Sequence, residues 1–388
     1  MKILLVKSTS GYVDLTKANT YNIQETGLAG ALNRLGHHCD VVFPGRNEYK
    51  EIQVPYNEKG DTFIVFYLKQ ISLLGDNIYR GINRLAQKYD VIHSGGYDTI
   101  QSWRFARKFP QKVVIYNGTY YSDFNRNYNR KCRLVDHLFV PTYLKNRITF
   151  DTKNHMSELF LRDKGITDVT SVGVGLDLSR IEYKADENHE LIELIRKYKE
   201  QGNKLILYIG RIEPRRNIYF LLDVVKEVAK YEKIKLIMIG SQGPQHYKDS
   251  VFDYMNRKGL SDIIEYRAFL DQKYLGYVYK QCDVFLLPTI YEIFGMVLLE
   301  AMYYSVPVVS TLNGGSDLII RDKENGYIEE NNDLQKWVGR IRYIFNHPDE
   351  ARLIGYKAHK TISEEFTWDA LALKFIKVFE NKLFPENE

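Results

Sequence analysis

The stretch from Cys282 to Thr311, CDVFLLPTIYEIFGMVLLEAMYYSVPVVST, constrains the fold of this chain more than any other. Cys282 to Leu287 is a short, mostly apolar run closed by Pro288, and Val306 to Ser310 is another, so both suit strands buried on two faces. Between them Gly295 to Tyr304 lacks proline and is rich in Met, Leu and Ala, which predicts a crossover helix. A strand, loop, helix and second strand in that order make one βαβ unit, and βαβ units imply a parallel sheet covered by helices.

The polar groups of this unit gather where the first strand ends and the helix begins. Glu292 lies on the loop, Phe294, Gly295 and Met296 open the helix, and Glu300 falls in its second turn. Helical side chains lean toward the N-terminus, so Glu300 leans back toward the end from which unpaired N–H groups project. A phosphate suits that end, and Gly295, lacking a Cβ, lets a ligand approach the backbone closely. Two carboxylates beside a phosphate would repel it unless they are turned to neutral hydroxyls. A nucleoside diphosphate sugar offers such hydroxyls on both sides of its diphosphate. For Glu-x7-Glu alone an ordinary crossover with two solvated glutamates fits as well. The longer pattern from Pro288 to Ala301, Pro-x3-Glu-x-Phe-Gly-x4-Glu-Ala, is more specific, and it resembles the signature of the family 4 retaining glycosyltransferases of the GT-B fold.

At 388 residues the chain is long enough for two or three domains. A net charge of +5 is too mild for a nucleic-acid partner, and no stripe of Lys and Arg concentrates it. Cys39, Cys132 and Cys282 are too few and too scattered for a metal site or a disulfide framework, so a reducing cytoplasm is expected. The apolar run Ile3 to Val6 is too short for a signal peptide, and no later run approaches a transmembrane span. Membrane contact, at the inner face of the cell membrane, is then peripheral. The 30 tyrosines are the compositional oddity, and Tyr116, Tyr120, Tyr121, Phe124 and Tyr128 make a dense patch.

Strands expected at Lys2–Val6, Cys39–Phe43, Thr62–Tyr67, Val91–His93, Val113–Tyr116, His137–Val140 and Thr170–Val174 alternate with helical patterns, as at Asn22 to Leu35. A second series runs through Leu205–Ile209, Leu236–Ile239, Ile263–Phe269, Val284–Leu287 and Val306–Ser310. The fold class expected is α/β, a GT-B arrangement of two Rossmann-like, doubly wound domains facing a cleft. Residues 1–180 would form the acceptor-binding domain and 200–367 the nucleotide-sugar-binding one. Phe366-Thr367-Trp368 resembles the family's opening of a last helix, here 368–388, that crosses back to the first domain. The loop after the first strand holds Gly11 but no G-x-G-x-x-G, which removes a nicotinamide or flavin fingerprint.

After Ile209 comes Gly210-Arg211-Ile212-Glu213-Pro214-Arg215-Arg216-Asn217, a loop whose guanidiniums are placed for a diphosphate. Arg211 matches the family's first Arg, Arg216 stands where Lys is common, and Asn217 stands where Gly is. Gly240 opens a Gly-x-x-Gly-Pro turn similar to the family's Gly-x-Gly-Pro. Arg267 lies in the segment whose backbone reads the base, and Gly314-Gly315-Ser316-Asp317 resembles the family's Gly-Gly-x-x-Glu. Asn117 replaces the usual His of a His-Gly pair, and Asp123 and His93 are candidates for further polar contacts. The resemblance implies catalytic roles for Glu292, Arg211, Arg216 and Asn117. It implies donor contacts at Gly11, Gly240, Arg267, Phe294, Gly295, Met296 and Glu300. It implies a hexose moved with retention from a nucleoside diphosphate sugar, most commonly UDP-linked, to a hydroxyl of a sugar or lipid-linked saccharide, in polysaccharide or glycolipid assembly. No resident cofactor is implied, and no Asp-x-Asp motif occurs to hold a metal, so the arginines would take a metal's place. Rival readings are a GT-B phosphorylase or epimerase, a two-lobed sugar-binding protein, and an inactive regulatory subunit.

Overall fold

The computed structural model describes residues 1–9, 11–15, 23–45, 48–73, 76–181, 189–329 and 333–385. The chain divides into two compact units: Met1–Asp177 with Phe366–Glu388, and Leu178–Glu365.

The first unit holds β1 (Lys2–Val6), β2 (His38–Pro44), β3 (Lys50–Pro55), β4 (Thr62–Leu68), β5 (Gln70–Leu73), β6 (Asp76–Tyr79), β7 (Val91–Gly95), β8 (Val113–Asn117), β9 (Thr149–Thr152) and β10 (Val169–Ser171). Eight of them form one sheet in the order β10-β9-β8-β7-β1-β2-β4-β3, parallel except where β3 runs against β4. β5 and β6 pair antiparallel beside it. The chain turns one way from β1 to β2 and the other way from β7 to β10, so the order reverses between β1 and β7.

The expectation of a strand at His137–Val140 is corrected. His137 and Leu138 end the helix Arg126–Leu138, and Val140 begins the helix Val140–Lys145, whose first turn carries Pro141. A short apolar run reads equally as strand or buried helix, and proline pre-set for a first turn decides it here. The strand in that part of the sheet is β9, whose sequence TFDT hid it. Asp151 is fully buried there, and His93 Nε2 lies 3.0 Å from its Oδ2, a hydrogen-bonding partner for the buried carboxylate.

The last helix, Trp368–Leu383, packs within the first unit. Leu176 N–H donates to Phe366 O at 2.7 Å, and Arg34 pairs with Asp369 at 2.6 Å. A Cβ on Gly27 or Gly175 would lie 2.2 or 2.4 Å from the Trp368 ring, which makes Trp368 a packing residue.

The second unit holds β11 (Lys204–Ile209), β12 (Ile234–Ile239), β13 (Ile264–Arg267), β14 (Val284–Leu287), β15 (Val308–Thr311) and β16 (Tyr327–Glu329). All are parallel, in the order β13-β12-β11-β14-β15-β16. Ile206, Leu236, Val284, Leu286 and Val309 form its core with the helices Ile218–Val228 and Leu334–Asn346. Here the order reverses between β11 and β14, the position at which open α/β sheets bind ligands at the carboxyl ends of their strands. Both units are thus doubly wound α/β folds.

Candidate functional site

Every site residue expected in the second unit, Glu300 apart, lies on a carboxyl end of its sheet. Gly210 and Arg211 follow β11, Gly240 follows β12, Arg267 ends β13, and the segment Glu292 to Met296 follows β14. Glu300 stands one turn farther along the helix Met296–Tyr303.

The loop after β11 is shaped by its backbone. Pro214–Arg216 makes a single 3-10 turn, and Asn217 at φ 55° and ψ 46° joins it to the helix Ile218–Val228. That left-handed conformation is why glycine suits this position and why asparagine is the tolerated alternative. Ile212, fully buried, anchors the loop, and its N–H donates to Gln242 O at 2.9 Å. Gly240 sits at φ 130°, where a Cβ would meet Gly210 O at 2.1 Å, so close packing of two backbones requires this glycine.

The loop from β14 turns toward those arginines. Arg215 Nε lies 2.7 Å from Glu213 Oε1, and its Nη1 donates to Tyr291 O at 3.0 Å and approaches Glu292 Oε2 at 3.3 Å. Arg216 Nη1 is paired with the same Glu292 oxygen, while its Nε is buried with no acceptor among the described residues. Glu292 Oε1 accepts the Ile293 N–H at 3.1 Å. One carboxylate is thus clamped by two guanidiniums at the point where the strand order reverses. Arg211 is exposed and pairs with no carboxylate among the described residues.

Gly295 caps the helix Met296–Tyr303 at φ 76° and ψ 69°, so its turn, rather than a ligand's approach, already demands glycine. Gly315 is needed for a similar reason: a Cβ there would lie 1.6 Å from Phe294 O. The Gly314 N–H donates to Glu292 O at 3.1 Å, and the amides of Gly315 and Ser316 donate to Asn313 Oδ1.

Glu300 is a carboxyl of another kind. It is 2 % exposed, its Oε2 accepts the Tyr279 hydroxyl at 2.8 Å, and its Oε1 is buried without a donor among the described residues. Burial pushes its pKa from the usual carboxylate range to about 8. Tyr279 is itself stacked on Tyr304, with ring centroids 5.5 Å apart. Arg267 turns its guanidinium to Glu265, and at 3.2 Å to Glu190, leaving its backbone carbonyl to accept the Gly240 N–H.

In the first unit Gly11 is exposed in the loop after β1, at φ 126°. Asn117 ends β8 at 1 % exposure, and its Nδ2 donates to Thr119 O at 3.0 Å and Ser157 Oγ at 2.8 Å. Its amide is therefore engaged in fixing the loop after β8 to the helix His155–Arg162. His93 packs among Tyr116, Phe375 and Phe379 beside Asp151, a buried structural pair, and Asp123 is exposed on a 3-10 turn. Among the described residues no group of three His, Cys, Asp or Glu could hold a metal ion, and no helix is long and apolar enough to cross a membrane.

Two contributors were missed in the sequence. Arg215 was one of a run of basic residues, and nothing in the run singles out the arginine that bridges Glu213 and Glu292. Tyr279 gave no signal, being one tyrosine of a helix with three.

Residues 192–361, all within the second unit, match the family described as Glycosyl transferases group 1. The chain is 28% identical to the "Uncharacterized glycosyltransferase MJ1607" of Methanocaldococcus jannaschii, over 91% of this chain and 92% of that protein. Among solved structures, sucrose-phosphate synthase from Thermosynechococcus elongatus superimposes with a TM-score of 0.72 at 17% identity, over 98% of this chain and 99% of that one. HepE from Anabaena in complex with UDP-glucose does so with a TM-score of 0.71 at 15% identity, over 98% and 100%. The fold is that of the GT-B glycosyltransferases.

Proposed function

We propose that the chain is a retaining glycosyltransferase, with the donor bound at the carboxyl ends of β11 and β14. The observation that carries this is a pair of opposite unmet needs, one on the loop after β11 and one on the helix after β14. Arg216 presents a buried N–H without an acceptor, and Glu300 a buried oxygen without a donor. Buried polar groups are rarely left so. A nucleoside diphosphate sugar satisfies both, its diphosphate oxygens accepting from arginine and its ribose diol donating to Glu300. The match to the glycosyl transferases group 1 family and the UDP-glucose bound by HepE support the same donor class.

In this reading Glu292, held by Arg215 and Arg216, receives hydroxyls of the transferred hexose. As the bond from the sugar to the diphosphate lengthens, negative charge grows on the leaving oxygens. Arg216 and Arg211 stabilise that charge more than they stabilise the intact donor, and such electrostatic terms are commonly the largest in catalysis. The departing diphosphate takes the proton of the acceptor hydroxyl on the same face, so the configuration is kept without a protein base. Asn117, whose amide is already engaged, then needs no chemical role. The guanidiniums do this without requiring a metal, and the acceptor is a sugar or lipid-linked saccharide in polysaccharide or glycolipid assembly.

Thermal melts with UDP-, GDP- and ADP-sugars test the donor site: one series should stabilise the protein by about 2.7 kcal/mol at a hundred times its dissociation constant. Arg216→Ala should abolish that stabilisation. Donor turnover that requires inorganic phosphate, or that returns an isomerised nucleotide sugar without acceptor, would replace this reading with a phosphorylase or an epimerase. No stabilisation by any donor would remove it.

A further inference from the structure

The helix Arg126–Leu138 in the first unit is inverted relative to an ordinary surface helix. Its buried side is narrow, formed by Cys132 and Val135, while Leu134 and Leu138 point outward at 60% and 52% exposure. Arg126, Arg130, Arg133 and His137, all exposed, follow one another at steps of four, three and four residues. At 100° per residue these four fall within one narrow stripe, and Leu134 and Leu138 flank it on a single side. None of the three arginines pairs with a carboxylate among the described residues. The nearest acidic residue of the helix, Asp136, is turned away and paired with Lys164 at 2.6 Å.

The same character continues beyond the helix. Leu144, 45% exposed, and Lys145 follow on the helix Val140–Lys145. Lys145 also lines a cavity of about 1030 Å³, together with Lys112, Arg147, Lys382, the apolar Leu383 and Phe384 and one carboxylate, Asp90. Burial holds the Lys382 ammonium below the usual lysine range. Cations interleaved with solvent-facing leucines have two unmet needs, a negative charge and an apolar medium. A nucleic acid meets only the first.

We propose that this outward face docks on an anionic phospholipid surface, the arginines against headgroup phosphates and Leu134 and Leu138 in the acyl boundary. The proposal uses no residue of the second unit and does not rest on the donor reading. It gives the first unit a way to meet a lipid-borne substrate.

The test is cosedimentation of the full chain with phosphatidylcholine vesicles with and without phosphatidylglycerol. The parent should bind only the anionic vesicles and be released by salt. The triple variant Arg126→Glu, Arg130→Glu, Arg133→Glu should bind at least about a hundredfold more weakly, since each basic residue lost near such a surface removes about a fivefold factor and each glutamate adds repulsion. The double variant Leu134→Ser, Leu138→Ser should lose about tenfold while keeping its charge. Both should melt at the parent's temperature, because every altered side chain is exposed. A parent indifferent to anionic vesicles overturns the proposal. So does a triple variant that binds as the parent does, a leucine variant with undiminished binding, or a parent that binds a DNA duplex in preference to the vesicles.

Discussion

The two sheets reverse their strand order in the same way, yet the side chains at the two reversals differ. Between β1 and β7 the Ser8 and Ser94 hydroxyls lie 2.8 Å apart, Ser94 reaches Ser102 at 2.8 Å, and Thr99 bonds Ser102 at 2.8 Å and Gly95 O at 3.0 Å. These residues are buried and satisfy one another. Between β11 and β14 the partners are charged: two arginines on Glu292, with Arg216 Nε, Asn217 Nδ2 and, one helical turn away, Glu300 Oε1 unpaired among the described residues. A reversal that closes on itself holds a fold together. One that leaves polar atoms buried and unanswered is shaped for something polar from outside.

The largest effect should come from crossing the two reversals. Arg216→Ala should lower the rate of sugar transfer by about a hundredfold to a thousandfold, the usual loss when one donor to developing charge is removed. Ser94→Ala should leave that rate within a few-fold and lower the melting temperature, since removing a buried hydrogen-bonding partner costs about 1 to 3 kcal/mol. Initial rates and melts on both variants decide it. If Ser94→Ala loses as much activity as Arg216→Ala, the contrast between the reversals is empty.

The next effect separates the two glutamates. Glu300 keeps its proton in the folded chain up to about pH 8, against about 4.5 for an ordinary glutamate. The folded state therefore binds more protons than the unfolded state between those values, and stability falls as pH rises through that window. In Glu300→Gln no proton is lost, so its melting temperature relative to the parent should rise between pH 5 and pH 8.5, by an amount equivalent to a few kcal/mol at most. A gap that does not change with pH would mean that Glu300 is ionised in the free protein.

The sequence carried the second reversal far better than the first. Pro288 to Ala301 was legible because a strand, a turn glycine and a helix follow one another there, which places Glu292 on the loop after β14 and Glu300 one turn into the helix. The parallel strands of the second unit are apolar enough to be read directly. The clamp on Glu292 was not legible, because its arginines reach it from the neighbouring strand of the sheet, and which of three arginines does so depends on the turn at Pro214. Nor was β9, whose buried Asp151 is partnered by His93 from β7, a strand distant in the sequence. Local pattern locates residues along an element, whereas pairings across a sheet are set by topology.

The smallest expected effect sharpens the second reversal at Asn217, which has two possible reasons to be asparagine. Its φ of 55° favours Gly or Asn for backbone shape, and its buried, unpaired Nδ2 would suit a ligand oxygen. Asn217→Ala should destabilise by about 1 kcal/mol, the cost of forcing a Cβ residue into the left-handed region. Asn217→Gly should melt close to the parent, within about 0.5 kcal/mol, because relief of the backbone is offset by the greater freedom of glycine when unfolded. Donor titration of the glycine variant then distinguishes the two reasons. Unchanged donor affinity assigns Asn217 to the shape of the loop, whereas a loss of several-fold adds its amide to the donors that Arg216 already supplies.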